Sequence, residues 1–423
     1  MKSLRMSCRR FHRTCVTLLG LLGLLLAGCR TPVPVAIQAV TPTLTAAPKL
    51  ATVAPAPTRP DDYWPTADWR TSSPEAQGMD ADRLGQMLAH IQQTRLALHS
   101  LLIIRHGYIV SETYFEPYQQ ATRHELYSCT KSFVATLVGI ALDQGYIDHT
   151  DHRVLDYFPQ YTFANPEASK TAMTVEDLLT MRSGLDWNEG DSAYASLYRS
   201  SDWVKYVLDE PMAQPPGSQF NYCSGCSHVL SAIVQRATGM NPRQYAEKNL
   251  FEPLGLTDVQ WDTDAAGLPI GGWGLHITPR DMAKLGYLYL HAGDWNGQPV
   301  VSAAWVKAAT EKHTDKEGQP VVSAAWVKTA TEKHTGTDGQ PVVSAAWVKT
   351  ATEKHPGTDG TLGYGYQWWT YPSWGAYAAL GHGGQTIFVI PQADLVIVTT
   401  AALDNHDVIF RLIEDYIYPA VRN

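Results

Sequence analysis

Acidic residues are missing from the first 60 positions of this 423-residue chain, and Asp61 is the first. Lys2, Arg5, Arg9, Arg10 and Arg13 therefore stand unopposed ahead of an apolar stretch at residues 16–27. That stretch falls short of the roughly 20 residues that cross a bilayer as a helix, so the leader is expected to be an export signal and not a membrane span. Beyond it acidic residues outnumber basic ones. The formal net charge is −8, and loss of residues 1–28 moves it to −13. So acidic a chain lacks the counter-charge that binds phosphate backbones, which excludes nucleic acid as a partner. Cysteine is sparse as well. Of the six, Cys223 and Cys226 make a lone C-x-x-C with no second pair or suitably spaced histidines, so no metal site is expected.

What is present describes a globular domain behind a tether. Hydrophobic residues make up 44% of the chain and charged ones 17%, the balance of a chain that buries a core. Residues 30–60 alternate Pro, Ala, Thr and Val with seven prolines, and cannot bury enough surface to fold. The chain divides into a signal peptide at 1–28, a tether at 29–62 and a domain at 63–423. Leu26-Ala27-Gly28-Cys29 resembles a bacterial lipobox. That resemblance implies cleavage before Cys29, lipid on its sulfur, and an extracytoplasmic domain anchored to a bacterial membrane. Besides Cys29, processing leaves Cys129, Cys223 and Cys226. These three are expected as small buried thiols, with a disulfide among them as the alternative in an oxidising compartment.

Ser128-Cys129-Thr130-Lys131 stands at the front of an apolar run at residues 133–142. Positions i and i+3 share a helix face, so the Lys131 amine would rise beside the Ser128 hydroxyl. Unpaired backbone N–H groups and the positive helix end would surround Ser128 in the first turn. Phe133, Leu137, Ile140 and Ala141 bury the helix, and Gly145 is its expected stop. Burial lowers the proton affinity of a lysine, which makes a neutral, proton-accepting amine accessible near pH 7.

Two further segments follow in order. Residues 216–224 place Tyr222 and Ser224 ahead of a helix-like apolar run at 229–234, and Gly381-His382-Gly383-Gly384-Gln385 leads into a strand-like run at 386–390. Ser-x-x-Lys, then a Tyr-x-Asn variant, then a polar residue before glycine on a late strand resembles the serine β-lactamase and penicillin-binding-protein superfamily. The likeness is to the class C β-lactamase-like branch, with its D-stereospecific peptidases, carboxylesterases and nylon-oligomer (6-aminohexanoate-dimer) hydrolases. Residues 178–185, 252–256, 278–281 and 364–369 are also similar to that branch, so it extends from about Trp69 to the C-terminus.

The resemblance implies an α+β fold, with an antiparallel sheet built from N- and C-terminal segments, flanking helices and a mostly helical inserted region. Local patterns agree. Asp80 can cap a helix bearing Leu84, Met87, Leu88 and Ile91 at helical spacing. Residues 101–104 and 108–110 are expected to form a hairpin through His106-Gly107, residues 386–390 and 395–399 a second, and residues 408–416 a closing helix. Residues 297–317, 318–338 and 339–359 are three nearly identical 21-residue units where the family carries one. Each has a capping serine (Ser302, Ser323, Ser344) and a tryptophan (Trp305, Trp326, Trp347). A recent duplication tolerated at the surface is expected, with a stacked binding module as the alternative.

The resemblance further implies acyl transfer on Ser128, with Lys131 and Tyr222 moving the proton. The backbone N–H groups of Ser128 and Gln385 would form the oxyanion hole. Gly383 and Gly384 would let that edge approach the substrate. Two departures bear on substrate: His382 stands where β-lactamases of this branch usually carry lysine, and Ser224 where the usual motif has asparagine. Both turn the expectation from antibiotics towards small esters or amides. Trp187, Tyr366, Trp368 and Trp369 are candidates for an apolar acyl pocket. No cofactor is required, and a monomer acting on a small ester, amide or peptide is expected. A class C-like β-lactamase, a cell-wall D-peptidase and a penicillin-binding sensor without turnover are the alternatives. An α/β-hydrolase fails for want of a Gly-x-Ser-x-Gly elbow.

Overall fold

The computed structural model describes residues 63–313, 362–404 and 406–422. The signal, tether and lipidation expectations at 1–62, and the second and third repeat copies, lie outside the described residues. One eight-stranded sheet organises the domain. Its strands are β1 (Arg70–Thr71), β2 (Leu98–Arg105), β3 (Tyr108–Tyr114), β4 (Gly363–Tyr364), β5 (Trp369–Tyr371), β6 (Ala376–Gly381), β7 (Gln385–Ile390) and β8 (Leu395–Ala401), in the order β1-β3-β2-β8-β7-β6-β5-β4.

Both expected hairpins form, each longer than its apolar signal. β2 meets β8 at the centre, with Ile103 opposite Ile397, so the two ends of the domain close one sheet around the helical middle. Residues 101–104 and 395–398 are fully buried on successive positions because both sheet faces are covered. The sheet departs from the expected antiparallel plan at one edge. β1 runs parallel to β3, which the intervening helix and β2 allow by carrying the chain back before β3 begins.

The helices that matter here are α1 (Ala81–Thr94), α2 (Thr130–Asp143), α3 (Val175–Leu179), α4 (Ser224–Thr238), α5 (Pro279–Leu290), α6 (Ala303–Thr310) and α7 (Asp407–Leu412). Asp80 caps α1 by accepting from the Arg83 N–H at 3.1 Å, and Leu84, Met87 and Ile91 are buried. α7 continues as a π-helical turn, Ile413–Ile417, that packs on α1. α5 crosses β2, β7 and β8. A Cβ on its Gly286 would come within 2.8 Å of Val396 and Ile387, so glycine sets how closely that helix presses on the sheet. α2 touches β6 on one side and packs along α4 on the other, and residues 130–141 are all buried. Among the described residues, no helix is long and apolar enough to cross a membrane.

The first repeat copy is built into this core and is not a surface appendage. Ser302 caps α6 by accepting from the Trp305 N–H, and its own N–H donates to Asp143 at the end of α2, at 2.7 Å. Trp305 is 4% exposed and lies on Gly139 of α2, where a Cβ would stand 2.5 Å from the indole. One unit thus supplies what the described fold uses.

Deletion of residues 318–359 should leave a soluble protein whose thermal midpoint does not fall below that of the full chain. Loss of cooperative unfolding would show that the later copies are required. In the shortened protein, Trp305→Ala should cost about 3–5 kcal/mol in denaturant unfolding, the usual range for emptying a buried aromatic site.

Candidate active site

Ser128 sits one step earlier than expected, in a 3-10 turn (Tyr127–Cys129) that runs directly into α2. Cys129 and Thr130 keep right-handed helical angles, so the one-turn relation of Ser128 to Lys131 survives. Tyr127 takes φ 46°, an uncommon left-handed conformation that turns the chain sharply just before the serine. The Leu126 N–H is tied to the Leu275 carbonyl at 2.8 Å, which pins the turn.

Lys131 is 1% exposed, and its Nζ donates to Ser128 Oγ and to the Gly272 carbonyl, each at 2.8 Å. Burial pulls its amine down to about 8, against the partial opposing pull of the Glu189 carboxylate. Tyr222 lies beside the same pair, with its ring centre 4.8 Å from Lys131 Nζ. Desolvation pushes its phenol well above the ordinary range. The two candidate proton carriers are thus moved in opposite directions, towards a neutral amine and a neutral phenol.

Ser224 is turned towards Glu189. Its hydroxyl donates to the Glu189 carboxylate, and its N–H donates to the same group at 3.0 Å. Trp187 Nε1 and Tyr194 OH also donate to Glu189, so four donors saturate one buried carboxylate beside the start of α4. Trp187 is therefore part of this clamp instead of an open acyl pocket. The cysteines correct a second expectation. Cys223 and Cys226 form a disulfide across the first turn of α4, while Cys129 is a free, buried thiol whose Sγ donates to the Gln385 carbonyl at 3.4 Å.

On the strand side, Gln385 begins β7, and its side chain faces inward, donating to the carbonyls of Ala401 (2.7 Å) and His382 (3.0 Å). This fixes the turn of Gly383 and Gly384, whose φ values of 76° and 90° require glycine. A Cβ at Gly383 would stand 3.1 Å from the Ala401 carbonyl oxygen, and one at Gly384 3.1 Å from Ala401 and 3.2 Å from Leu403, so the turn packs closely against the end of β8. His382 is exposed, edge-on to Tyr127 at 5.3 Å.

Of the remaining aromatic candidates, Trp369 reaches the site, stacking on the Tyr222 ring at 5.8 Å. Trp368 is fully buried against Tyr289 and Tyr377, and Tyr366 packs between Trp305 and His313. Both are buried in the core. The sequence offered no signal for Glu189, which stands between Asp186 and Asp191 with nothing in the pattern to set it apart. It did offer one for Gly271-Gly272-Trp273-Gly274, since clustered glycines mark close backbone approach. Trp273, with Tyr194 and Tyr198, forms an aromatic group next to Gly272.

This architecture recurs among known proteins. The chain is 27% identical over 243 residues to the 6-aminohexanoate-dimer hydrolase of Paenarthrobacter ureafaciens, covering 54% of this chain and 60% of that protein. It is 28% identical over 211 residues to esterase EstB of Burkholderia gladioli, covering 44% and 53%. The chain thus spans little more than half the length of these relatives. The solved structure of a family VIII carboxylesterase superposes with a TM-score of 0.60 at 16% identity, over 82% of this chain and 98% of that one, a likeness of fold. The Beta-lactamase family model matches residues 84–416, from the first helix through the last, and the protein belongs to that family.

Proposed function

We propose that the protein is a serine hydrolase that cleaves a small ester or amide through an acyl-enzyme on Ser128. The observation that carries this is the buried Lys131 amine, 2.8 Å from Ser128 Oγ and with its proton affinity lowered to about 8. Ser128 Oγ attacks the carbonyl carbon while Lys131 takes its proton. Tyr222, a neutral phenol beside Lys131, gives its proton to the departing alkoxide or amine as the tetrahedral adduct collapses and is reprotonated by the Lys131 ammonium, which returns to the neutral amine. Water then attacks the acyl carbon, loses its proton by the same route, and releases the acid and Ser128. The backbone N–H groups of Ser128 and Gln385 are proposed to hold the oxyanion.

Substrate preference rests on two side chains. The carboxylate of a β-lactam is best held by a fixed cation, and His382 is an exposed imidazole at that place in the motif. The Ser224 hydroxyl is engaged with Glu189 and so offers the substrate no amide-like donor. Both favour a substrate recognised by its acyl group, and the esterase and dimer hydrolase among the relatives are consistent with that. The basic leader, the lipobox-like Leu26-Ala27-Gly28-Cys29 and the proline-rich tether support an extracytoplasmic, lipid-anchored protein.

Ser128→Ala should lower hydrolysis of p-nitrophenyl butyrate by at least about a thousandfold, as loss of a nucleophile does elsewhere. Mass spectrometry of the parent should show a transient acyl adduct. Retained turnover in the variant would refute the mechanism, and rapid opening of a chromogenic cephalosporin would restore the β-lactamase alternative. Because the base must be neutral, kcat/KM should fall about tenfold per pH unit below about 8 and level off above it. Glu189→Gln should move that profile to lower pH, since the native carboxylate favours the ammonium form of Lys131. A flat profile through this range would exclude Lys131 as the base. In a bacterial host, Cys29→Ser should shift the protein from the membrane fraction; unchanged membrane retention would argue against lipid on Cys29.

A further inference from the structure

The loop that leaves α2 carries Asp148-His149-Thr150-Asp151-His152, a stretch with no part in the site above and one where no metal was expected from the sequence. Its side chains converge. Asp148 Oδ1 lies 2.7 Å from His152 Nδ1, and Asp148 Oδ2 lies 3.2 Å from His149 Nε2. One donor atom each from Asp148, His149 and His152 falls within 4.8 Å of the others. Donors that share a small dication at about 2.0–2.2 Å stand roughly 3–3.5 Å apart, so modest side-chain rotations bring these three onto one ion.

Two further features distinguish the group from a chance cluster of surface charge. The other ring nitrogen of His149, Nδ1, is paired with the Asp151 carboxylate, the outer contact that orients a ligating imidazole and raises its basicity. The backbone is also anchored. The carbonyl of Thr150 accepts from the Glu176 N–H at 2.7 Å, and the carbonyl of His152 accepts from the Val175 N–H at 3.0 Å, so α3 holds the loop from both sides of Asp151. The His152 ring rests 4.7 Å from that of Tyr157.

We propose that Asp148, His149 and His152 form a surface site for a divalent transition metal, with Asp151 positioning His149 and water completing the coordination. Two imidazoles and one carboxylate favour ions such as Zn2+ over Mg2+ and Ca2+, which prefer oxygen ligands throughout. The site lies past the far end of α2, a 14-residue helix about 20 Å long, and so stands apart from the acyl-transfer chemistry at Ser128. Its occupation ties the exit loop of the catalytic helix more firmly to α3 and stabilises the folded state by mass action.

The test is calorimetric titration of the mature, chelator-treated protein with ZnCl2, with MgCl2 as control. One saturable Zn2+ site per chain is expected, with no comparable Mg2+ binding. His149→Ala and His152→Ala should each weaken it at least tenfold, and Asp151→Asn about 10- to 100-fold. Ester hydrolysis and the metal-free melting temperature of each variant should match the parent, which separates loss of a ligand from loss of the fold. Zn2+ should raise the melting temperature of the parent and not that of His152→Ala. Absence of saturable Zn2+ binding in the parent, or undiminished binding in both histidine variants, would overturn the proposal.

Discussion

A lysine amine taken out of water governs the candidate site of this molecule. Burying an amine is costly unless it is hydrogen-bonded, and Lys131 has two oxygens to meet, Ser128 Oγ and the Gly272 carbonyl. The second of these requires the chain at 271–272 to press against α4. A Cβ on Gly271 would lie 2.0 Å from the Ser227 carbonyl oxygen, and one on Gly272 2.9 Å from that of Ser224. Two glycines therefore allow a carbonyl to reach the amine, and the same contact sets α4, with Tyr222 just ahead of it, at its distance from α2. Glu189 then binds the first turn of α4 through Ser224.

A second buried network keeps these elements in register. Gln367 adopts φ 61° and spreads its groups among three helices. Its carbonyl accepts from Ser132 of α2, its Oε1 accepts from Ser227 of α4, and its Nε2 donates to the carbonyls of Leu178 and Leu179 in α3. A fully satisfied polar group in a low-dielectric interior fixes one arrangement, because every alternative leaves a donor or acceptor unpaired. Gln367 lies two residues before β5, so it ties the sheet contributed by the end of the chain to the helices contributed by its middle. The first repeat unit serves the same junction from the other side, through Trp305 on Gly139 and Tyr366.

The site differs from its motifs in where polarity is spent. Ser224 and Trp187 face Glu189, and the glycines at 383–384 serve a turn that Gln385 locks from within. What remains towards solvent is Ser128, the edge of Tyr222, His382 and Tyr127.

Much of this was legible in the sequence, because it depends on local periodicity. The one-turn spacing of Ser128 and Lys131, the Asp80 cap, and both hairpins follow from helix and strand geometry that neighbouring residues impose on one another. The repeats and the three ordered motifs are properties of the chain itself. The tertiary structure decided the rest. Trp368 and Trp369 are adjacent and chemically alike, yet Trp368, just ahead of β5, packs against Tyr289 and Tyr377, while Trp369, the first residue of the strand, stacks on Tyr222, and the pattern of residues alone does not say which. Whether Ser224 meets a substrate or a carboxylate, and which carbonyl receives the Lys131 amine, depend on groups distant in the chain. Those encounters exist only after the sheet has closed and the helices have packed, since close packing, and not sequence proximity, determines which buried polar atoms must satisfy one another.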